Sequence, residues 1–304
     1  MTETVPNYYH KFRCLAERCM HSCCVGWEID IDEETLRFYN SLDTKMGETI
    51  RNNIEGEVPH FILKQGDRCP FLNENGLCDI ICQCGEDALC DICTLHPRFR
   101  NFYSSFIETG LGLCCEEAAR IVLSEQEKFS VVLPLHCKLK AEEKQFFESR
   151  REILDVLQDR KKSIQARFYS LARSFGFSFP FSLDELRTLY LSLERLDERW
   201  TDELENLKDF FFDGVIFEEE DFQLPFEQLA VYFIFRHLSR GIWDENFIPI
   251  VKFSLMSCWL IGAMCSYYKH KNGSISLEEM VDIVRMYSAE VEYSEDNLET
   301  VLNI

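Results

Sequence analysis

The chain has 304 residues, of which 46% are hydrophobic, and its formal net charge at pH 7 is −21. This length and apolar content predict one large hydrophobic core or two smaller ones. Basic residues outnumber acidic ones only between residues 138 and 173, where 10 Lys and Arg stand against 6 Asp and Glu. Because a phosphate backbone requires clustered cations, we expect no nucleic-acid partner. The acidic surface would attract a lysine-bearing protein, and it is equally compatible with a role in solubility alone.

The longest apolar stretch runs from Phe253 to Tyr268 and is interrupted by three serines. It is too short to span a bilayer and is predicted to form a buried core helix. The first residues lack the apolar segment of a secretory signal. We therefore expect no membrane partner and a cytoplasmic location.

Residues 7 to about 125 are punctuated by glycine and proline and contain few long periodic runs. This pattern predicts irregular structure, with short helices only after Asp32 and over residues 116–123. From 141 to 175 the apolar residues recur at helical spacing, which predicts one long amphipathic helix or two with a break. Strand signals are few.

Further along, Ser182 with Glu185 and Ser276 with Glu279 fit the capping-box pattern. They predict helices over residues 183–199 and 277–292. Residues 226–241 and 247–270 are apolar on more than one face, as expected of central helices in a bundle, and the acidic run 218–221 is predicted to lie in a connecting loop. The predicted fold is therefore mainly α: an irregular cysteine-rich metal-binding region over residues 1–130, packed on a helical bundle over residues 131–304.

Thirteen of the fifteen cysteines precede residue 138. Such density requires a chemical reason, because cysteines used only as small apolar residues would occur in both halves. Disulfides need an oxidising compartment, and zinc sites usually show two C-x2-C pairs, whereas this chain has only Cys90 with Cys93. Iron–sulfur clusters use sulfur ligands at less regular spacings, so the cysteines favour a cluster and leave zinc as the alternative metal.

Eight cysteines form a spaced series with distinctive neighbours. They are Cys14, Cys19, Cys23, Cys24, Cys69, Cys78, Cys93 and Cys115. The first four precede Gly26-Trp27, the fifth opens the sequence Cys-Pro-Phe-Leu, and the seventh is followed by Pro97-Arg98. Over roughly the first 125 residues this series resembles the flagellin lysine N-methylase family.

The resemblance implies methyl transfer from S-adenosylmethionine to lysine side chains of flagellin, with a [4Fe-4S] cluster held by cysteines of the series. The chain lacks the glycine-rich loop of a Rossmann-type methyltransferase, and it lacks the C-x3-C-x2-C signature of radical S-adenosylmethionine enzymes. Eight cysteines exceed the needs of one cluster, so a second metal site or structural thiols are both possible interpretations. The remaining cysteines are interpreted as nonligands: Cys82, Cys84, Cys90, Cys114, Cys137, Cys258 and Cys265.

Several other side chains are candidates for binding or proton transfer. The planar guanidinium of Arg98 suits the carboxylate of a bound donor, with a salt bridge to nearby acidic residues as its alternative role. His96 is interpreted either as a ligand or proton carrier or as a packing residue, and Trp27 as a ring that stacks on a ligand or shields a cluster. The acidic residues Asp30, Asp32, Glu116 and Glu117 suit neutralisation or deprotonation of a lysine, or equally helix capping. A noncatalytic metal-stabilised binding or metal-handling module is the alternative to the enzyme.

Overall fold

A computed structural model describes residues 1–304 and shows a mainly helical protein. The chain forms two compact units: residues 13–98, and residues 1–12 together with 99–304. The division therefore lies at residue 98 rather than near the predicted 130, and the first twelve residues belong to the larger unit. The reason is strand pairing, because Thr2 to Thr4 pair in parallel with Phe106 to Glu108.

Five short strands are present. They are β1 (Thr2–Thr4), β2 (Ile54–Glu55), β3 (His60–Phe61), β4 (Arg98–Phe102) and β5 (Phe106–Leu111). In the larger unit they form a three-stranded sheet in the order β1-β5-β4, and in the smaller unit β2 and β3 form an antiparallel pair.

Thirteen α-helices account for most of the ordered structure. The smaller unit contains α1 (Glu33–Ser41), α2 (Lys45–Arg51), α3 (Asp79–Cys84) and α4 (Asp91–Leu95). The larger unit contains α5 (Glu116–Leu123), α6 (Ala141–Leu157), α7 (Ile164–Ser174), α8 (Leu183–Leu191), α9 (Glu198–Glu205), α10 (Glu220–His237), α11 (Ile248–Asn272), α12 (Leu277–Tyr287) and α13 (Glu295–Leu302).

The smaller unit has a small core of aliphatic side chains, three aromatic rings and two buried thiols. The ring of Phe61 lies between Tyr39 and Phe71, at centroid distances of 6.2 and 4.9 Å. The Tyr39 hydroxyl donates to the carbonyl oxygen of Ala88 over 2.7 Å, which satisfies its only polar atom inside the core. Cys69 and Cys90 are buried among these residues.

The larger unit has an extensive core centred on α10 and α11, most of whose residues are buried. The apolar stretch from Phe253 to Tyr268 was predicted to be too short to cross a membrane, but the helix that contains it, α11, is long and apolar enough to do so. In this structure 83% of the most apolar window of α11 is buried inside the unit. The helix thus occupies the position predicted for it, as a core helix.

The break predicted within residues 141–175 occurs between α6 and α7. Ser182 and Ser276 both cap helices as predicted, but α8 ends at Leu191 and α12 passes into a π-helical turn over Ser288–Glu292. The predicted loop at 218–221 is wrong in part, because Glu220 and Asp221 are the first residues of α10. Negative side chains are stabilising there, beside the unpaired N–H groups of a helix N-terminus.

Candidate functional site

Five thiols of the smaller unit converge on its core. They belong to Cys24, Cys69, Cys78, Cys90 and Cys93, and we call them the thiol cluster. Local structure brings them together: the Cys69 amide donates to the Cys24 carbonyl over 2.8 Å, and Cys78 and Cys90 are the N-cap residues of α3 and α4. Cys93 follows within the first turn of α4, so the C-x2-C spacing places two thiols at the start of one helix.

The thiols influence each other's ionisation. Burial raises the pKa of Cys69 to about 11, while a hydrogen bond from the Cys23 thiol lowers the pKa of Cys24 to about 7. A hydrogen bond between Cys90 and Cys93 raises the pKa of Cys93 and lowers that of Cys90. Because negative charge on one thiol disfavours charge on its neighbours, a bound cation would stabilise several thiolates at once.

The donor chemistry of the thiol cluster fits a metal that prefers sulfur. All five side chains are thiols, as in iron–sulfur and all-cysteine zinc sites. No three His, Cys, Asp or Glu side chains of the protein lie at the mutual spacing of a bound metal ion. The arrangement is therefore a convergence of suitable donors rather than a formed coordination sphere.

The thiol cluster contains four of the eight predicted ligands together with Cys90, which sequence reasoning treated as a nonligand. The structure places the Cys90 thiol against that of Cys93 and buries it, with 1% of its surface exposed. The signal was available in the C-x2-C spacing of these two residues. The geometry thus makes Cys90 as good a candidate ligand as Cys93.

The other four predicted ligands are not members of the thiol cluster. Cys14 and Cys19 flank a single helical turn over Ala16–Arg18, and the Cys19 thiol donates to a neighbouring carbonyl oxygen over 3.4 Å. Cys23 adjoins the thiol cluster through its hydrogen bond to Cys24. Cys115 is the N-cap residue of α5 in the larger unit.

The predicted candidates Arg98, His96 and Trp27 lie near the C-terminal end of α4, and Arg98 stabilises its last turn. Arg98 donates from its guanidinium to the carbonyl oxygens of Thr94 and His96, over 3.3 Å in each case. The His96 ring lies 6.2 Å from that of Trp27, and burial, followed by the charge of Arg98, lowers its pKa to about 4. A neutral imidazole in this position matches a packing residue, and it remains able to accept a proton or a metal.

The acidic candidates make structural contacts. Asp32 caps α1 by accepting from the amide and hydroxyl of Thr35, and it also accepts from the Asp91 amide. In α5, Glu117 pairs with Arg120 at 2.7 Å, and Glu116 pairs with the same guanidinium at 3.4 Å. These contacts agree with the capping and ion-pair interpretation of the acidic residues.

A buried polar network in the larger unit was not foreseen from sequence. The Glu292 carboxylate, at the end of the π-helical turn, accepts from the Tyr232 hydroxyl at 3.0 Å and contacts the His237 imidazole at 2.6 Å. Arg236 pairs with the same carboxylate at 3.4 Å. Burial opposes ionisation of Glu292, but Arg236 and His237 together hold its pKa below the usual value. Groups with shifted pKa values and π-helical turns both concentrate at functional sites, although ion-pair networks also shift pKa values.

The larger unit also contains a surface cavity of about 450 Å³ along α6. Its lining combines apolar side chains, Phe129, Phe147 and Leu154 among them, with charged side chains of both signs. The side-chain oxygen of Gln158 is buried there without a hydrogen-bond partner in the protein. This volume is sufficient for a small organic molecule.

Comparisons with known proteins relate the chain to lysine methylases. Residues 178–304 match the family model described as the FliB lysine N-methylase C-terminal domain. The chain is 24% identical over 218 residues to a lysine-N-methylase of Salmonella typhimurium, an alignment that covers 64% of this chain and 53% of the relative. It is 27% identical over 182 residues to the flagellar biosynthetic protein FliU of Salmonella muenchen, covering 55% of this chain and 98% of the relative.

A lysine-N-methylase of Salmonella choleraesuis matches at 23% identity, with the same coverage as the first relative. The chain thus spans about half the length of the two lysine-N-methylases it matches. No solved structure matches it. The domain match lies in the helical part, after the cysteine series, which ends before residue 125. On these grounds the chain is related to the lysine N-methylases.

Proposed function

We propose that the protein transfers methyl groups from S-adenosylmethionine to lysine side chains of flagellin. The observation that carries this proposal is the relation of residues 178–304 to the lysine N-methylase C-terminal domain, together with relatives named lysine-N-methylase. The acidic chain supports it, since its net charge of −21 favours the approach of a lysine-bearing surface. Methyl transfer to an amine uses the nitrogen lone pair, so the substrate ammonium must first release a proton.

We also propose that the smaller unit holds a [4Fe-4S] cluster, with zinc as the alternative metal. The ligands would come from the thiol cluster, and Cys14, Cys19 and Cys23 are close in sequence to its member Cys24. When bound, such a cluster supplies redox-active iron held by thiolates. The chain's own contribution is to gather the thiols, bury two of them and keep water from the core through the rings of Tyr39, Phe61 and Phe71.

The methyl-transfer proposal is tested by incubating anaerobically purified, iron-replete protein with S-adenosylmethionine and purified flagellin. We expect flagellin to gain whole methyl groups on lysine side chains, located by mass spectrometry of its peptides. A donor carrying a deuterated methyl group should shift the gain by the corresponding isotopic mass. Flagellin whose mass stays unchanged with iron-replete protein would contradict the proposal.

A noncatalytic, metal-stabilised module is the second candidate function. It is favoured by the small apolar core of the smaller unit, since units of this kind commonly depend on a structural metal. Under this proposal the protein purified without oxygen would be colourless and contain stoichiometric zinc, because zinc has a filled d shell. An iron–sulfur protein would instead be brown, and its iron content would follow its visible absorption.

A further inference from the structure

The larger unit carries a second surface pocket, of about 390 Å³, whose composition differs from that of the cavity along α6. Two segments, residues 180–184 and residues 209–212, form its walls and close on Trp259 of α11. The lining is rich in aromatic rings. Its only charged members are the carboxylates of Asp184 and Asp209.

The aromatic part of the pocket is held rigidly. The Phe212 ring lies 4.5 Å from that of Trp259, and Phe179 approaches the same indole at 5.1 Å from another side. Gly214 permits this arrangement, because a Cβ atom there would lie only 2.7 Å from the indole ring. The rings therefore need little rearrangement to receive a ligand, which lowers the entropic cost of binding.

The carboxylates of the pocket are available to a ligand. Asp184 is 82% exposed, and its one ion pair, with Arg187, is long at 3.9 Å. The indole N–H of Trp259 is buried and has no acceptor in the protein. At the rim, the large apolar side chain of Phe211 is 84% exposed. The pocket thus offers aromatic side chains and negative charge.

We infer that this pocket binds an alkylammonium side chain, that of a lysine or a methylated lysine in a protein partner. Ring faces attract cations through their quadrupole, and the two carboxylates complement the charge. The surrounding sequence strengthens the field, since residues 174–304 contain 25 Asp and Glu against 10 Lys and Arg.

A methylated ammonium binds here more tightly than an unmodified one. Each added methyl group removes an N–H donor and spreads the positive charge over a larger surface. The methylated cation is therefore more weakly hydrated, and its entry into the ring-lined pocket costs less hydration free energy. The pocket would then hold the product of lysine methylation. The inference rests on the proposed function only in naming lysine as the source of the cation.

The test is a binding titration by ligand-observed NMR, without methyl donor. The probes are Nα-acetyl-lysine amide, its Nε-trimethyl form and its Nε-acetyl form, which is neutral. We expect saturable binding of both cations, at least fivefold tighter for the trimethyl form, and no measurable binding of the neutral one. Tighter binding of the unmodified lysine would identify the substrate rather than the product as the occupant. Equal binding of the neutral probe, or no binding at all, would overturn the inference.

Variants tie the binding to this pocket. Phe211→Ala should weaken binding of the trimethyl probe about tenfold, and the isosteric pair Asp184→Asn with Asp209→Asn about fivefold, as expected for cation–π and exposed charge contributions. Matched controls are Phe102→Ala, at an exposed ring outside the pocket, and Asp244→Asn, at an exposed carboxylate outside it. An equal loss in variant and control would refute the assignment. Because methyl transfer is not measured, failure here leaves the proposed function standing, and failure of methyl transfer leaves this result intact.

Discussion

The two units of the protein differ in how their buried ionisable groups are paired. In the larger unit each buried carboxylate of Glu108, Glu227 and Glu292 has a cationic partner at hydrogen-bonding distance or close to it. In the smaller unit the members of the thiol cluster raise or lower each other's pKa, and the charge of Arg68 contributes only a minor lowering at Cys24. These three carboxylates of the larger unit are thus balanced by the protein itself, whereas the smaller unit gathers groups whose charge a bound metal would balance.

The difference also appears in the cores. The larger unit buries two long helices, α10 and α11, on nearly all faces, and the smaller unit buries three rings and the side chains around them. Since apolar burial scales with the area removed from water, the smaller unit gains far less from this source. We therefore expect metal removal to affect the smaller unit first.

The largest expected effect is on metal content. Cys69→Ala should remove most of the bound metal, a loss of roughly tenfold or more, because it deletes a central thiol of the cluster. Iron, zinc and visible absorption are measured on protein purified without oxygen. The matched control is Cys265→Ala, an equally buried thiol of the larger unit, which should retain its metal. Equal losses in both variants would contradict the assignment of the site to the thiol cluster.

A second variant addresses the residue that sequence reasoning set aside. Cys90→Ala should lower metal content as much as Cys93→Ala, since the two thiols are hydrogen-bonded to each other. The same metal analysis decides the point. Full metal content in Cys90→Ala protein would show that Cys90 is not a ligand and only packs in the core.

The next effect is on the stability of the larger unit. Arg150 donates two hydrogen bonds, of 2.6 and 2.7 Å, to Glu108, and both side chains are buried. Arg150→Met leaves the carboxylate unpaired and should cost about 3–5 kcal/mol in free energy of unfolding, measured by urea denaturation. The double variant with Glu108→Gln should recover much of this loss. Arg199→Met, which breaks a partly exposed pair, should cost less than about 1 kcal/mol.

A smaller loss is expected from crowding inside the same core. A Cβ atom at Gly110 would lie 2.2 Å from the Phe99 ring and 2.8 Å from that of Phe235. Gly110→Ala should therefore destabilise the unit by about 1–3 kcal/mol in urea denaturation. Adding Phe99→Leu, which shortens the crowding side chain, should reduce the combined loss below the sum of the single losses. Strict additivity would show that the steric explanation is wrong.

The smallest effect is a pH dependence of stability. Burial lowers the pKa of His237 in the folded protein, so the unfolded chain, with an ordinary value near 6.5, takes up a proton that the folded state does not. Stability is thus fully present above about pH 6.5 and is lost as the pH falls towards the folded pKa, by at most about 1.4 kcal/mol per pH unit. His237→Gln should flatten this slope in urea midpoints, and His136→Gln, at an exposed position, should not. An unchanged slope in the first variant would assign the pH dependence to other groups.

Sequence patterns predicted the features that depend on neighbouring residues. Ser182 and Ser276 cap helices because their side chains reach amides three positions ahead, and the break between α6 and α7 follows the apolar spacing. The cysteine series indicated the family, and the domain match and relatives bear this out. The spacing of the cysteines did not predict which of them would converge in the thiol cluster.

Tertiary structure alone decided the rest, because the deciding contacts join residues far apart in the chain. Glu108 and Arg150 are 42 positions apart, and Tyr232 and Glu292 are 60 apart, so no local periodicity signals that they pair. The first strand belongs to the larger unit only because it pairs with β5, more than a hundred residues later. Cys90 joins the thiol cluster because the chain turns back on itself between Cys24 and α4. Local propensity acts within a turn or two of helix or strand, whereas the energy of a buried pair depends on which distant segments the fold brings into contact.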